Sequence, residues 1–408
     1  METKFDVIVI GGGASGMMSA IFASRNGNKT LILDHNEKLG KKLYITGKGK
    51  CNLTNNSSVE THLENIMHNS KFMYSALNSF TPQDTIEFFE NNGLPTRTER
   101  GKRVFPESDK SSDVIKTLEK CLHKYDAKIS LNNEIEAVSK ADNIFHIKCN
   151  NGIEYTANSL ILATGGLSYA GTGATNLGYK IAKQFGHNII EVKSALCPIV
   201  LYDDVSELNG LSLRNVSAEI EIGNKKFSEF GEMMFTFNSI TGPIALTLSS
   251  KINGFDINKA KFILDLKPAL SVTQVEQKLQ RACVEFAKID LKNYLLTILP
   301  HSFVGYFIEH LGLPNKKMAD LTKTERTKIL NGLKKFDFLI KSLDNINVSI
   351  VTAGGVDVKQ INSKTCESKL VPNLYIVGEL LDVDALTGGF NLQIAWSTGY
   401  VAGNAIKG

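Results

Sequence analysis

The sequence predicts an α/β fold in which a parallel-sheet domain is interrupted along the chain by an antiparallel insert. Three observations predict it. Phe5 to Ile10 is a continuously apolar, β-branched run that opens directly onto a glycine-rich turn and a helix-compatible segment. A second succession of short strand, glycine turn and long helix occupies residues 373–406. Between them, from about residue 193 to 346, apolar and polar residues first alternate and then recur at helical spacing.

Phe5-Asp-Val-Ile-Val-Ile10 has the near-continuous hydrophobicity of a parallel strand covered on both faces. It runs into Gly11-Gly-Gly13-Ala14-Ser15-Gly16, and residues Met17 to Arg25 continue as a helix. At such a turn Gly11 permits the tight reversal, Gly13 lets a pyrophosphate approach the backbone, and Gly16 lets helix and strand pack closely. Free N–H groups and the helix dipole then face the phosphates. Lys29 to Asp34 forms a second strand. Its terminal carboxylate follows the turn at about the 20 residues expected of an acid that accepts ribose hydroxyl hydrogen bonds. A bare glycine turn with a solvated Asp34 is the competing reading; strand, helix and acid in sequence favour a Rossmann-like dinucleotide site.

The carboxy-terminal segment decides which dinucleotide. Asn373 to Val377 is a short apolar strand ending in Gly378-Glu379. Asp382, Asp384 and the pair Gly388-Gly389 follow, ahead of a helix from Leu392 to Ile406. A helix N-terminus with free N–H donors suits the pyrimidine edge of a flavin, which becomes anionic on reduction. Glu379, Asp382 and Asp384 are candidate partners for ribityl hydroxyls, a need NAD does not share. The cofactor expected is therefore FAD, against the reading that the glycines only start the terminal helix.

At 408 residues the chain exceeds one ordinary core and predicts two or three lobes. A hydrophobic content of 42% and a charged content of 22% exclude a disordered or fibrous class. The net charge of +4, on 46 basic and 42 acidic residues, is too balanced to point to a nucleic-acid partner. Cys51, Cys121, Cys149, Cys197, Cys283 and Cys366 contain no Cys-x-x-Cys pair, and the histidines show no ligand spacing. No metal site is expected, and reduced thiols fit a cytoplasmic protein. The amino-terminal stretch from Met1 lacks a basic n-region and cleavage site, and no run approaches the roughly 18 apolar residues of a membrane span. Neither a signal peptide nor a spanning helix is expected.

Ser159 to Gly166 reads as a buried strand with a glycine turn returning toward the cofactor, and Ser168 and Tyr169 follow in turn or capping positions. Thr81-Pro82-Gln-Asp84 has the cap, the N1 proline and the first-turn acid of a helix start. Glu99 to Pro106 is a basic, turn-rich loop in which Arg103 is a surface cation or, alternatively, a holder of an acidic substrate. In the insert, Val216, Ala218, Ile220 and Ile222 alternate with polar residues, Gly223-Asn224 turns, and Phe262 to Leu266 adds a strand. Val275, Leu279, Cys283 and Phe286 then recur at helical spacing, and helices extend from about 270 to 336. The expected domains are residues 1–192 with 347–408 for the FAD-binding part, and 193–346 for an inserted substrate domain.

At this point the chain resembles a bacterial FAD-dependent family that contains bile-acid reductases of the BaiN type and the proteins called aminoacetone oxidases. The resemblance rests on Gly11 to Gly16, Lys41 to Asn55, Ala163 to Tyr169, Val351 to Gly355 and Gly378 to Gln393, and spans essentially the whole chain. It implies a split FAD domain, an inserted β-barrel-like domain and a small helical domain within the insert, with the Thr46 to Asn55 loop approaching the flavin. Motifs and resemblance together nominate a cofactor-binding set: Gly11, Gly13, Ala14, Ser15, Gly16, Asp34, His35, Lys41, Lys42, Gly47, Cys51, Asn52, Ile135, Ala163, Thr164, Gly165, Gly378, Glu379, Asp384, Gly388, Gly389, Asn391, Leu392 and Gln393. Three positions depart from the family pattern. Asp34 stands where members carry Glu, Asn176 where many carry Gly, and Phe237 where members show His, so an acid–base role of that histidine does not transfer.

The expected activity is that of an oxidoreductase in which FAD exchanges hydride with a small organic substrate held between the insert and the flavin. An activated C=C would be reduced, or a small amine oxidised. A single glycine fingerprint leaves NAD(P)H, if used, as a transient visitor. Cys51, Arg103 and Tyr169 are candidates by position for a catalytic role. Two rivals stand beside this reading: an RNA-modifying flavoprotein that uses the basic Lys38 to Lys50 loop, and a flavin-binding redox sensor without turnover.

Overall fold

The computed structural model describes residues 3–408; Met1 and Glu2, where the signal-peptide reading begins, lie outside the described residues. The chain divides into two compact units, Met1–Ala195 with Ile346–Gly408, and Leu196–Asn345.

The first unit is a sheet covered by helices. Strand β1 (Lys4–Ile10) pairs in parallel with β2 (Thr30–Leu33) on one side and with Glu154–Leu162 on the other, Ile10 lying opposite both Leu33 and Leu162. Lys128–Ser130 extends the sheet beyond β2 in parallel. Glu154–Leu162 forks: its first half pairs antiparallel with Ile144–Cys149, and its last three residues pair in parallel with Leu374–Ile376. Helix α1 (Ala14–Arg25) packs on the apolar parallel centre, and the terminal helix Phe390–Ala405 packs in turn on α1. Val7, Ile8, Val9 and Leu160 to Leu162 are fully buried or nearly so. The two helices approach closely because Gly399 and Gly403 face the α1 backbone; a Cβ on Gly403 would lie 2.3 Å from the Ser19 carbonyl.

Most element ends differ from the sequence expectation by one or two residues, but the return strand starts at Glu154, ahead of the expected Ser159, and α1 at Ala14, ahead of Met17. The helix at Pro82–Asn91 carries the expected start: Thr81 accepts from the Asp84 amide while the Asp84 carboxylate accepts from Thr81, a capping box. A hairpin, Ile135–Ala141 with Ile144–Cys149, and a helix, Ser111–Lys124, occupy a stretch to which the sequence reading assigned no elements.

The second unit is a closed barrel of six antiparallel strands, in the order Ile199–Leu201, Ser239–Thr241, Lys225–Phe235, Ser212–Ile222, Lys261–Asp265 and Phe336–Leu343. Closure leaves no sheet edge unpaired. Between its fifth and sixth strands lie the helices Val272–Glu285, Leu291–Leu295, His301–His310 and Lys323–Lys334, two of which start with capping boxes at Ser271 and Thr322. Phe235, Phe303, Phe336 and Phe338 are buried together, with ring centroids 5.2–6.1 Å apart in the contacting pairs. These aromatic faces join the helices to the barrel in one core.

Candidate functional site

All the nominated residues lie in the first unit. At the end of β1 the chain turns at Gly11 with φ +105°, and a Cβ there would stand 2.5 Å from the Ala163 carbonyl oxygen. Gly16 is held tighter still, 1.9 Å between its would-be Cβ and the Gly11 oxygen. Gly13 differs: no protein atom lies within 4 Å of a Cβ added to it, so the one open face of the turn is at the head of α1. Gly13 caps that helix without a side-chain hydrogen bond, the arrangement that leaves first-turn N–H donors for a phosphate.

Asp34 is buried and braces the loop. Its Oδ2 accepts from the Gly12 amide at 2.6 Å, and its Oδ1 accepts from the backbone and side-chain nitrogens of Asn36 at 2.8 and 2.9 Å. Three of a carboxylate's roughly four lone-pair sites are thereby used, leaving one for a ligand hydroxyl. Ile135 lies close by, since the Asn133 amide donates to the Asp34 carbonyl. His35 is exposed, and Lys41 pairs with Glu37 at 3.2 Å.

The return strand brings Ala163, Thr164 and Gly165 alongside, the Ala163 amide donating to the Ile10 carbonyl. At the other end of the chain Gly378, with φ +68°, abuts Ser15; a Cβ there would lie 2.4 Å from the Ser15 hydroxyl. Gly389, with φ +103°, lies against the backbone of Thr54, and Asn55 donates to the Gly388 carbonyl at 3.1 Å. The Lys41 to Asn55 loop thus meets the head of the terminal helix, bringing Gly47, Asn52 and the glycine pair into one neighbourhood.

Several nominated side chains are spent on the protein itself. Glu379 accepts from Lys42 at 2.6 Å, from Ser168 at 3.2 Å and from the Thr352 amide at 2.9 Å, so this carboxylate is a hub of the fold. Gln393 is fully buried with every donor and acceptor used: Thr54 and Thr85 donate to its oxygen, and its nitrogen donates to the Phe80 carbonyl and to Ser397. Asn391 bonds the Ala385 backbone through both its oxygen and its nitrogen, tying the preceding loop to the first turn of the terminal helix beside Leu392. Cys51 is buried with φ +60°, and burial pushes its thiol up to about 12, which keeps it protonated and a poor nucleophile. Arg103 is exposed over the Phe105 ring, and Tyr169 adopts a left-handed turn that starts a short 3₁₀ segment. Phe237, at the position of the family histidine, is 70% exposed in the turn before Ser239–Thr241 of the barrel.

Sequence reasoning missed Gly12, Asn36, Thr352 and His68. Thr352 was within reach, since it stands in the Val351 to Gly355 motif. His68 has no sequence signal: its ring is brought to Asp384, Nδ1 to Oδ1 at 2.5 Å, by a segment 316 residues away in sequence.

The chemistry of this neighbourhood fits a polar ligand. Among the described residues, the buried side-chain atoms left without a partner include Asn52 Oδ1, Thr164 Oγ1 and Asp384 Oδ2. Each such orphan costs about 1–3 kcal/mol unless a bound group or water meets it. The two acceptors and the hydroxyl suit the hydroxyls of a flavin dinucleotide, and the open head of α1 suits its diphosphate.

The family described as HI0933-like protein Rossmann domain matches residues 5–405. The chain belongs to that family. This HI0933-like chain is an oxidoreductase of the FAD-binding Rossmann class. It is similar to the ribosomal RNA dihydrouridine synthase of Haemophilus influenzae, at 30% identity over 100% of both chains. It is similar also to the 3-dehydro-bile acid delta(4,6)-reductase of Clostridium scindens, at 30% identity over 97% of this chain and 98% of the relative. In fold it matches a 3-ketosteroid delta1-dehydrogenase from Sterolibacterium denitrificans with a TM-score of 0.52 at 13% identity, covering 99% of each chain. Among the described residues no helix is long and apolar enough to cross a membrane.

Proposed function

We propose that this HI0933-like chain uses FAD to reduce a carbon–carbon double bond conjugated to a carbonyl. One observation carries the reading: two relatives matched at equal identity over nearly their whole length have named reactions that share this bond type. Making dihydrouridine adds two hydrogens across a pyrimidine double bond next to a carbonyl, and a delta(4,6)-reductase of a 3-oxo bile acid saturates bonds conjugated to its ketone. When bound, the flavin supplies the hydride. The chain's residues do the holding: the amides from Gly13 to Gly16 receive the diphosphate, and the free lone pair of Asp34 takes a ribose hydroxyl. Thr164, Asn52 and Asp384 would offer their unpartnered atoms to the flavin's polar groups, and the Gly388-Gly389 amides would suit its pyrimidine edge. NADH or NADPH reloads the flavin as a passing reductant.

A specific observation favours RNA as the substrate. The small sheet formed by Thr54–Asn55, Arg103–Pro106 and Thr96–Thr98, with the loops beside it, exposes Lys48, Arg100 and Lys102, together with Lys50 and Arg103, which pair with Asp109 and Glu99. A cationic face of this kind suits a polyphosphate backbone better than a steroid acid. The test is anaerobic: holoprotein reduced with dithionite is mixed with a uridine-bearing ribosomal RNA fragment or with a 3-oxo-delta(4,6) bile acid. Reoxidation of the flavin, with the two added hydrogens found in one of them, is the expected result; a flavin that both leave reduced contradicts the proposal. Salt-independent failure to retain the RNA would exclude the RNA arm alone.

A further inference from the structure

Reduction of a conjugated double bond needs a proton as well as a hydride, and neither Cys51 nor the position of the family histidine supplies one. Cys51 is buried and held as a thiol, and Phe237 replaces the family histidine. A different group is built for the task. His68 is 41% exposed at its side chain, while its partner Asp384 is 2% exposed. The carboxylate pins Nδ1 of the ring at 2.5 Å, which leaves Nε2 as the nitrogen from which a proton can depart. A buried acid orienting a half-exposed imidazole is the arrangement by which proteins set the tautomer of a working histidine.

The pair is also in the right place. The Met67 amide donates to the Asp384 carbonyl and the Leu386 amide to the Asn65 carbonyl, so residues 65–68 run beside 384–386 as a short ladder. Asn391 fastens the other edge of that loop to the first turn of the terminal helix. Asp384 precedes Gly388 by four residues, so at most about 14 Å of chain separates the pair from the glycines. Asp384 Oδ2, buried and without a protein partner, is a further acceptor at the same spot.

We propose that His68, oriented by Asp384, is the proton donor of the reduction, which rests on the double-bond reductase reading above. The hydride and its electron pair come from the reduced flavin and form the new C–H bond at the β-carbon. The proton leaves His68 Nε2 for the α-carbon, the carbon–carbon π bond is consumed, the flavin ends oxidised, and His68 is reprotonated from water. Asp384 is the positioning residue.

The charges around the ring agree with this. The Asp384 hydrogen bond, aided by the charges of Asp384 and Asp382, raises the imidazole above its ordinary value against the opposing effect of burial. Asp382 is itself pushed up by burial and held by Asn69, with Asp357 nearby, and Lys71 and Lys359 line the adjoining surface hollow. A raised histidine holds its proton to higher pH than an ordinary imidazole, so the rate of double-bond reduction is expected to fall as pH climbs through that raised value. The stability contributed by the pair follows the same sign: fully present below about 6.5, the ordinary histidine value, and lost above the raised one.

The test compares His68→Gln with the wild-type holoprotein. Expected are equal FAD content, an equal rate of flavin reduction by dithionite, and reoxidation by the double-bond substrate slowed about 100-fold or more with its pH dependence flattened. NMR titration of the His68 ring, which needs no turnover, should show a midpoint above 6.5 that falls in Asp384→Asn. Reoxidation in His68→Gln within about threefold of wild type, or a wild-type ring that titrates at or below 6.5, overturns the proposal. If the wild type itself reduces neither test compound, the reductase reading and this inference fall together; a normal His68→Gln sinks only the inference.

Discussion

Replacing Gln393 by Leu is expected to destabilise the first unit by about 1–3 kcal/mol. The side chain is fully buried and joins four partners from three parts of the sequence: Thr54, Phe80, Thr85 and Ser397. Leucine has nearly the same volume, so packing survives; what is lost is the acceptor for two buried hydroxyls. Ser397 continues to serve the Phe80 carbonyl and Thr85 keeps the Thr81 carbonyl at 3.3 Å, but Thr54 is stranded, at about 1–3 kcal/mol. The readout is built in. Trp396, the chain's single tryptophan, is buried beside Gln393 and donates to the Leu53 carbonyl at 2.9 Å, so its fluorescence reports unfolding of this region in urea. A loss below about 1 kcal/mol would show that the network is not what holds the Lys41 to Asn55 loop to the terminal helix.

The glycine turn gives the second large effect, best seen as a contrast of two substitutions. Gly13→Ala is expected to fold like the wild type, within about 0.5 kcal/mol, because its φ of −81° is ordinary and its Cβ meets nothing. It is expected all the same to weaken FAD binding at least about 10-fold, because the methyl would occupy the side from which a diphosphate reaches the backbone. Gly16→Ala should do the opposite damage first: its Cβ would overlap the Gly11 carbonyl, a backbone atom that cannot step aside, and overpacking of that kind costs about 1–3 kcal/mol or more. Urea unfolding and FAD titration of both variants separate the two effects. Equal FAD affinity in Gly13→Ala and wild type would mean that no diphosphate lies on this turn.

The order of elements in the parallel sheet was legible because each carries its own punctuation. Continuous apolarity marks β1 and Ser159 to Leu162, and glycines mark the turns after them. The barrel was legible as alternation: Val216, Ala218 and Ile220 face inward along a strand of 11 residues. The hairpin from Ile135 to Cys149 carries a comparable signal in Phe145, Ile147 and Cys149, all buried and alternating with His146 and Lys148, and the sequence reading assigned it no element.

Of the site, the parts written in the backbone were readable and the parts written in long-range side-chain pairing were not. Gly11 and Gly16 announce their roles because only glycine tolerates those approaches, and Gly13 stands between them on the open face of the same turn. Glu379 and Gln393 look like ligand contacts in sequence, since nothing there shows that Lys42, Ser168 and Thr352 claim the one, and Thr54 and Thr85 the other. His68 could not be found at all, because a histidine acquires meaning from the carboxylate that folding places beside it.

The central claim, a single flavin dinucleotide held by the first unit between the amino-terminal glycine turn and the head of the terminal helix, is tested most directly by the visible absorption spectrum of the purified protein with quantified FAD. The expected result is a yellow protein carrying about one FAD per chain, or taking it up when FAD is added to the stripped protein. A folded, colourless protein that takes up no added FAD would contradict it.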